Sequence, residues 1–200
     1  MKHGVRIIGG KYRGKKLSVP DSIGLRPTSD RMRETLFNWL MYDVAGSRCL
    51  DAFAGSGALG FEAFSRGARE VVMVERSARI AAQLQKTAAE LAAKDILVYH
   101  QDVLKYLETV NQSFDIVFLD PPFAINYWQK CLHKLQANQL LAPDALVYIE
   151  SPDEIQMDTQ RWQCLKQKRA GQVFYALYKY RETDTSTAGQ KLNGNGTRVC

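Results

Sequence analysis

Leu50-Asp51-Ala52-Phe53-Ala54-Gly55-Ser56-Gly57-Ala58-Leu59-Gly60 runs from an apolar stretch through a glycine-punctuated turn into a helical pattern. The glycines permit a tight turn and let backbone approach a ligand, and the helix that follows presents its first amides as donors. The same alternation continues along the chain. Short apolar runs at Cys49 to Phe53, Glu70 to Glu75, Leu97 to Tyr99, Ile116 to Leu119 and Leu146 to Ile149 read as strands. Ala58 to Ser65, Ser77 to Lys94 and Tyr127 to Gln139 read as helices, the second with Ile80, Leu84, Ala88 and Leu91 at helical spacing. This alternation predicts an α/β domain with an open, mostly parallel sheet covered by helices on both faces. Trp162 to Lys168 and Val173 to Tyr180, joined across Ala170-Gly171-Gln172, predict an antiparallel hairpin that brings the sheet to seven strands.

Upstream, Val5-Arg6-Ile7-Ile8, the Gly9-Gly10 turn signal, Tyr12 and Leu17-Ser18-Val19 predict a short basic hairpin outside the main fold. Arg26-Pro27-Thr28-Ser29-Asp30 then leads into a helix with Met32, Leu36, Phe37 and Leu40 on one face. Arg31 and Arg33 stand in its first turn, where the helix dipole disfavours cations, so they are expected to face a nucleic-acid phosphate or a cofactor's carboxylate. Beyond Arg181, the segments Thr183-Asp184-Thr185-Ser186-Thr187-Ala188-Gly189 and Asn193-Gly194-Asn195-Gly196 have almost no apolar content and predict a disordered tail. The expected division is a hairpin extension over 1–25, a main domain over 26–181 and a tail over 182–200.

A chain of 200 residues that is 46% hydrophobic suffices for one domain with its own core. Its charge is unevenly placed. Residues 1–48 hold ten Lys or Arg against four acids, whereas the remaining 152 hold seventeen of each sign. A basic arm on a neutral body suits contact with a phosphate backbone, and Arg6, Lys11, Arg13, Lys15, Lys16, Arg26, Arg31 and Arg33 are the candidate RNA contacts. The plainer alternative is a solvated basic face. Cys49, Cys131, Cys164 and Cys200 lie far apart with no neighbouring His at ligand spacing, so neither a metal site nor a disulfide framework is indicated. No run of about eighteen apolar residues occurs and no secretory signal is visible, so a cytoplasmic protein without membrane contact is expected.

Gly55-x-Gly57-x-x-Gly60 fits the dinucleotide fingerprint, with Glu75 near the position of its ribose-binding acid. Asp51 separates two ligands. A carboxylate beside the glycine turn would repel a pyrophosphate, but suits a ligand carrying an ammonium and a sulfonium, namely S-adenosylmethionine. Glu75 would accept from both ribose hydroxyls, and Asp102 from the adenine amino group with Val103 supplying an adjacent amide. Ordinary caps or surface acids are the structural alternative for Glu75 and Asp102. Candidate cofactor-binding residues are therefore Asp51, Phe53, Ala54, Gly55, Ser56, Gly57, Glu75, Arg76, Asp102, Val103 and Asp120.

Phe114-Asp115-Ile116-Val117-Phe118-Leu119 leads directly into Asp120-Pro121-Pro122-Phe123. Two prolines fix the backbone and remove two donors, leaving a rigid turn whose carbonyls are bare acceptors. An exocyclic amine on a nucleobase is a poor nucleophile because its lone pair is delocalised into the ring. The Asp120 carboxylate and the Pro121 carbonyl could hold its two N–H bonds and favour a pyramidal nitrogen facing a sulfonium methyl, while Phe123 offers a stacking face. Asp120, Pro121, Pro122 and Phe123 are the candidate catalytic set. This motif alone leaves adenine, cytosine and guanine open.

Taken together, Arg6-Ile7-Ile8-Gly9-Gly10, Arg26-Pro27-Thr28-Ser29-Asp30-Arg31, Leu36-Phe37-Asn38, the glycine loop, Ser65-Arg66-Gly67-Ala68 and Asp120-Pro121-Pro122-Phe123 resemble the bacterial ribosomal RNA small-subunit methyltransferase D family over roughly residues 5 to 180. The resemblance implies a Rossmann-like class I methyltransferase that uses S-adenosylmethionine, yields S-adenosylhomocysteine, and methylates the exocyclic N2 of one guanine in 16S ribosomal RNA. It further implies a substrate that is an assembled or partly assembled small ribosomal subunit. A monomer is expected, since a single-domain enzyme working on a large particle has no evident need to oligomerise. Ala52, Phe61 and Phe64 stand where the family more often has Leu, a matter of packing. The competing classes each explain less. A DNA adenine or cytosine methyltransferase usually has Asn before the prolines and a separate target-recognition domain. A nicotinamide-dependent oxidoreductase leaves Asp120 to Phe123 without a role, and a non-catalytic RNA-binding module explains only the basic arm.

Overall fold

A computed structural model of the chain describes residues 5–17, 29–122 and 127–182. In order, the elements are β1 (Val5–Arg6), β2 (Lys16–Leu17), α1 (Asp30–Trp39), β3 (Arg48–Asp51), α2 (Ala58–Ser65), β4 (Glu70–Glu75), α3 (Ala78–Glu90), β5 (Ile96–His100), α4 (Val103–Thr109), β6 (Phe114–Leu119), α5 (Tyr127–Ala137), β7 (Leu141–Ser151), β8 (Trp162–Ala170) and β9 (Val173–Tyr180). The segment 183–200, expected as a tail, lies outside the described residues, as do Val19 and the boundary expected near residue 25.

Val71, Val72, Met73 and Val74 are all almost fully buried, which a strand covered on both faces allows. The seven strands follow the order β5-β4-β3-β6-β7-β9-β8. β3, β4, β5, β6 and β7 run parallel, and β9 pairs antiparallel with both β7 and β8. Alternate residues of each strand feed two apolar clusters. One holds Cys49, Ile116 and Phe118 against Leu36 and Phe37 of α1, Phe61 of α2 and Leu84 of α3. The other holds Leu50 and Val117 against Leu107 of α4 and Cys131 and Leu135 of α5. Helices therefore cover both faces, as the alternation of the sequence predicts.

Several boundaries differ for local reasons. α3 ends at Glu90 rather than near Lys94, because Ala92 takes a left-handed φ of 49° and the amides of Ala92 and Ala93 return to Ala89 and Ala88. This is a Schellman stop without the glycine that usually signals one. α4, seven residues long, carries too short a period to be read from sequence. β7 begins at Leu141, five residues early, through an irregularity opposite Phe114 and Ile116.

The N-terminal hairpin forms its own two-stranded sheet but is not outside the fold. Val5, Ile7 and Leu17 are buried in the same cluster as α1 and α2. α2 also holds the hairpin by hydrogen bonds: the Lys11 amide donates to the Ser65 carbonyl (2.7 Å), the Tyr12 amide to Ser65 Oγ (2.9 Å), and Ser65 Oγ to the Gly9 carbonyl (2.6 Å). Gly10 has φ +73° and lies so close to the Ser65 carbonyl that a Cβ there would collide with it. The basic arm is thereby fixed to the helix that follows the glycine loop.

Candidate active site

Chain order reverses between β3 and β6: the chain leaves β3 for β4 and β5 on one side and returns to β6 on the other. A crevice opens beyond the carboxyl ends of parallel strands at such a point. Here it is a cavity of about 700 Å3, within the range of small-molecule sites. Its lining joins residues at or just beyond the carboxyl ends of β3, β4, β5, β6 and β7 to Ser29 and Met32 at the start of α1 and to Ala170, Gly171 and Val173 around the β8–β9 turn.

The glycine loop is shaped by contacts that exclude side chains. Gly57, the residue before α2, has φ +75°, and a Cβ there would stand 2.6 Å from the Phe61 ring and 2.7 Å from Leu84. Gly60 allows α2 to approach β3 so closely that its amide donates to Asp51 Oδ2 at 3.0 Å. Asp51 is buried, and burial pushes its carboxyl up to about 7; the Gly60 amide works against that rise, and the charges of Asp120 and Glu75 add to it. Three carboxylates thus bear on one end of the cavity.

Glu75 splints two turns, its Oε2 accepting from the Gly55 amide (3.0 Å) and its Oε1 from the Ser77 amide (2.7 Å). Each oxygen retains a second acceptor site, so lining the cavity and bracing the loop are compatible. Asp102 caps α4 through Oδ1, which accepts from the Leu104 amide (2.9 Å), while Oδ2 accepts from the Tyr127 hydroxyl (2.8 Å). Tyr127 meets Phe53 edge-on, with ring centroids 5.6 Å apart, and the pair forms an aromatic wall of the cavity. Burial, and then the bond to Asp102, pushes the Tyr127 hydroxyl up to about 12, so it acts as a donor.

Of the candidate cofactor residues, Asp51, Phe53, Ala54, Gly55, Ser56, Glu75, Arg76, Asp102, Val103 and Asp120 all line the cavity. Gly57 does not; it sets the turn from beneath. Pro121 and Pro122 line it beside Asp120, and Phe123 lies outside the described residues.

Among the candidate RNA contacts, Arg6, Lys11, Arg13, Lys15, Lys16 and Arg31 are exposed, and Arg26 lies outside the described residues. Arg33 is a correction. Its side chain is 0% exposed and cannot meet a phosphate. Its guanidinium donates to the Arg6 carbonyl (2.9 Å) and to Asp30, and stands 3.9 Å from buried Glu62. Glu62 in turn accepts from the Ile8 amide (2.8 Å) and from Arg66 Nε (2.7 Å). A cation in the first turn of α1 is tolerated because this internal acid and Asp30 compensate it, and the pair ties the hairpin, α1 and α2 together.

Residues 5–179 match a protein family described as "Conserved hypothetical protein 95". The chain is 45% identical over 177 residues to Ribosomal RNA small subunit methyltransferase D of Escherichia coli (strain K12), covering 88% of this chain and 89% of that protein. It is 47% identical over 180 residues to the protein of the same name from Haemophilus influenzae, covering 88% and 93%. The chain belongs to the ribosomal RNA small subunit methyltransferase D family. The solved structure of the putative methyltransferase yhhF from Escherichia coli superposes with a TM-score of 0.84 at 43% identity, covering 90% of this chain and 99% of that one. The architecture is accordingly the Rossmann-like methyltransferase fold.

The methyltransferase D frame also shows what the sequence alone missed. Ser29, Met32, Tyr127, Glu150 and the β8–β9 turn all line the cavity. Tyr127 heads a predicted helix and Glu150 directly follows a predicted strand, but only the strand order places them at the same site as Asp120. The arrangement offers one lobe rich in backbone amides and acids, and a second where the Asp120-Pro121-Pro122 turn, Glu150 and α1 converge.

Proposed function

We propose that this chain transfers a methyl group from S-adenosylmethionine to the exocyclic N2 of a guanine in 16S ribosomal RNA, acting as a cytoplasmic monomer on an assembled or partly assembled small ribosomal subunit. The observation that carries this is the meeting, in one cavity, of the Asp51 to Gly60 loop with the Asp120-Pro121-Pro122 turn. Methylation of ribosomal RNA is the activity in the names of relatives 45% and 47% identical to the chain. Among the described residues no helix is long and apolar enough to cross a membrane.

The donor set suits the cofactor. Asp51, Asp120 and Glu75 supply the negative field that a sulfonium and an ammonium call for, and a pyrophosphate would be repelled there. Glu75 would take the ribose hydroxyls, Asp102 and Val103 the adenine edge, and Phe53 with Tyr127 the apolar wall. When bound, the cofactor supplies an electrophilic methyl group on sulfur. The protein's own part is positioning. Asp120 and the Pro121 carbonyl accept the two N–H bonds of the target amine and turn its lone pair toward that methyl. As positive charge grows on nitrogen, the Asp120 carboxylate stabilises it, and the proton leaves to Asp120 or to water.

A direct test uses small subunits lacking the modification, methyl-labelled cofactor and purified protein, followed by nuclease digestion and mass spectrometry. Label in N2-methylguanosine supports the proposal. Label in a methylated adenosine or cytidine, or none, refutes it.

A further inference from the structure

Glu150 is a buried carboxylate, 8% exposed, that lines the cavity and has no part in the chemistry described above. Its placement follows from strand register. β6 and β7 are parallel with Leu119 opposite Ile149, so Asp120, the first residue after β6, and Glu150 of β7 fall at the next level of the two neighbouring strands. Two residues back, Phe118 and Tyr148 are paired and lie in the same apolar cluster. Side chains two apart on a strand share a face, so both carboxylates leave the sheet on the face packed by α1. Ser29 and Met32 of the α1 start and the β8–β9 turn line the cavity there. The Tyr148 hydroxyl donates to Glu150 Oε1 at 2.9 Å and fixes the orientation of the carboxylate. That hydroxyl is driven well above its ordinary value by burial, then by the charge and hydrogen bond of Glu150 and by the charge of Asp120, so both acids act on the same small volume.

A base seated with its amine on Asp120 presents a neighbouring ring nitrogen to Glu150. In guanine the amine has a ring nitrogen on either side, N1 with a hydrogen and N3 without, and a base turned with its Watson–Crick edge to Glu150 offers N1. In adenine the ring nitrogen beside the amine, and in cytosine N3, are bare acceptors. A carboxylate therefore receives a charge-assisted hydrogen bond from guanine and opposes a lone pair on the other two.

We infer that Glu150 is the specificity residue of this site, accepting N1–H of the target guanine while Asp120 takes the N2 amine. This rests on guanine N2 being the methylated atom, and it supplies a reason in the protein for the choice of guanine over adenine and cytosine. A site built to accept a donor rejects an analogue that lacks it, since two acceptors are left opposed.

The experiment compares wild type with Glu150→Gln on small subunits reconstituted with either guanosine or 2-aminopurine riboside at the methylated position. Both bases have the N2 amine, and only guanine has N1–H; the loss of O6 affects both proteins alike. A glutamine amide can donate to the bare N1. Glu150→Gln is expected to lower kcat/KM for guanine by about 10- to 100-fold and to shrink the preference for guanine over 2-aminopurine at least about tenfold. Its affinity for S-adenosylmethionine, read by calorimetry, should stay within about twofold, which shows an intact fold. An unchanged base preference overturns the role of Glu150, whatever happens to overall rate, because support of Tyr148 alone would not alter selectivity. If wild type places the methyl on an atom other than guanine N2, the proposed function falls and Glu150 with it. Methylation of N2 with an unmoved preference overturns Glu150 alone.

Discussion

Replacing Glu62 should damage this protein more than replacing Arg33, although the two form one buried pair. Both side chains are 0% exposed. Glu62 compensates Arg33 and accepts from Arg66 Nε and the Ile8 amide, so Glu62→Ala strands two donors and leaves the buried Arg33 without its internal counter-charge. Arg33 keeps the Arg6 carbonyl and Asp30, but its Nε and Nη1, which have no hydrogen-bond partner, lose the buried carboxylate 3.9 Å from Nη1. Breaking a buried pair in this direction costs about 3–5 kcal/mol. Arg33→Met leaves Glu62 with Arg66 and Ile8, and chiefly strands the Arg6 carbonyl, which costs about 1–2 kcal/mol. With a urea dependence of about 2 kcal/mol per molar, the unfolding midpoint should fall by about 1.5–2.5 M for Glu62→Ala and by under about 1 M for Arg33→Met. Chemical denaturation followed by circular dichroism measures both. Arg33→Met should also leave the salt dependence of RNA binding untouched. Equal or reversed midpoint shifts, or a reduced salt slope in Arg33→Met, would refute the assignment of Arg33 as an internal strut.

Other outcomes follow from the same geometry. Asp120→Ala should abolish methyl transfer while calorimetry finds S-adenosylmethionine affinity changed by less than about tenfold, since Gly55, Glu75 and Asp102 remain in place; full activity would remove Asp120 as the acceptor. Neutralising Lys11, Arg13, Lys15 and Lys16 together should flatten the log-log dependence of RNA affinity on salt by about one unit per lost phosphate contact, and an unchanged slope would make the arm a merely solvated face. Asp51 carries a folded-state value raised to about 7, so between the ordinary carboxylate range and pH 7 the folded state holds a proton that the unfolded state has lost. Its contribution to stability of the unliganded protein therefore declines as pH rises through that window, while cofactor affinity rises as the carboxylate ionises. Asp51→Asn should remove both slopes, and a wild-type affinity that is flat from pH 5 to 8 would contradict the role of Asp51.

The strands and the glycine loop were legible because their signals are local: consecutive apolar residues in Glu70 to Glu75, and Gly55 and Gly57 where the backbone turns left-handed. α3 overran in the reading because its stop uses Ala92 in a conformation that glycine normally signals. Arg33 was misassigned for a deeper reason. Its compensating acid lies 29 residues away on α2, and nothing near Arg33 in the chain announces that Glu62 will be buried beside it. Glu150 went unread because a carboxylate ending a strand becomes part of a site only once β7 is known to lie against β6. Asp51, Glu75 and Asp102 could be placed at a cavity from sequence, but the bracing of Gly55 by Glu75 and the Asp102–Tyr127 bond depend on side-chain approach across the fold.

In the proposed function, the Asp120-Pro121-Pro122 turn presents a guanine amine of small-subunit ribosomal RNA for methylation. Mass spectrometry of 16S ribosomal RNA from a strain lacking this protein tests it most directly. One N2-methylguanosine should be missing, restored by the wild-type gene and not by Asp120→Ala. An unaltered set of N2-methylguanosines in the deletion strain, or restoration by Asp120→Ala, would contradict the account.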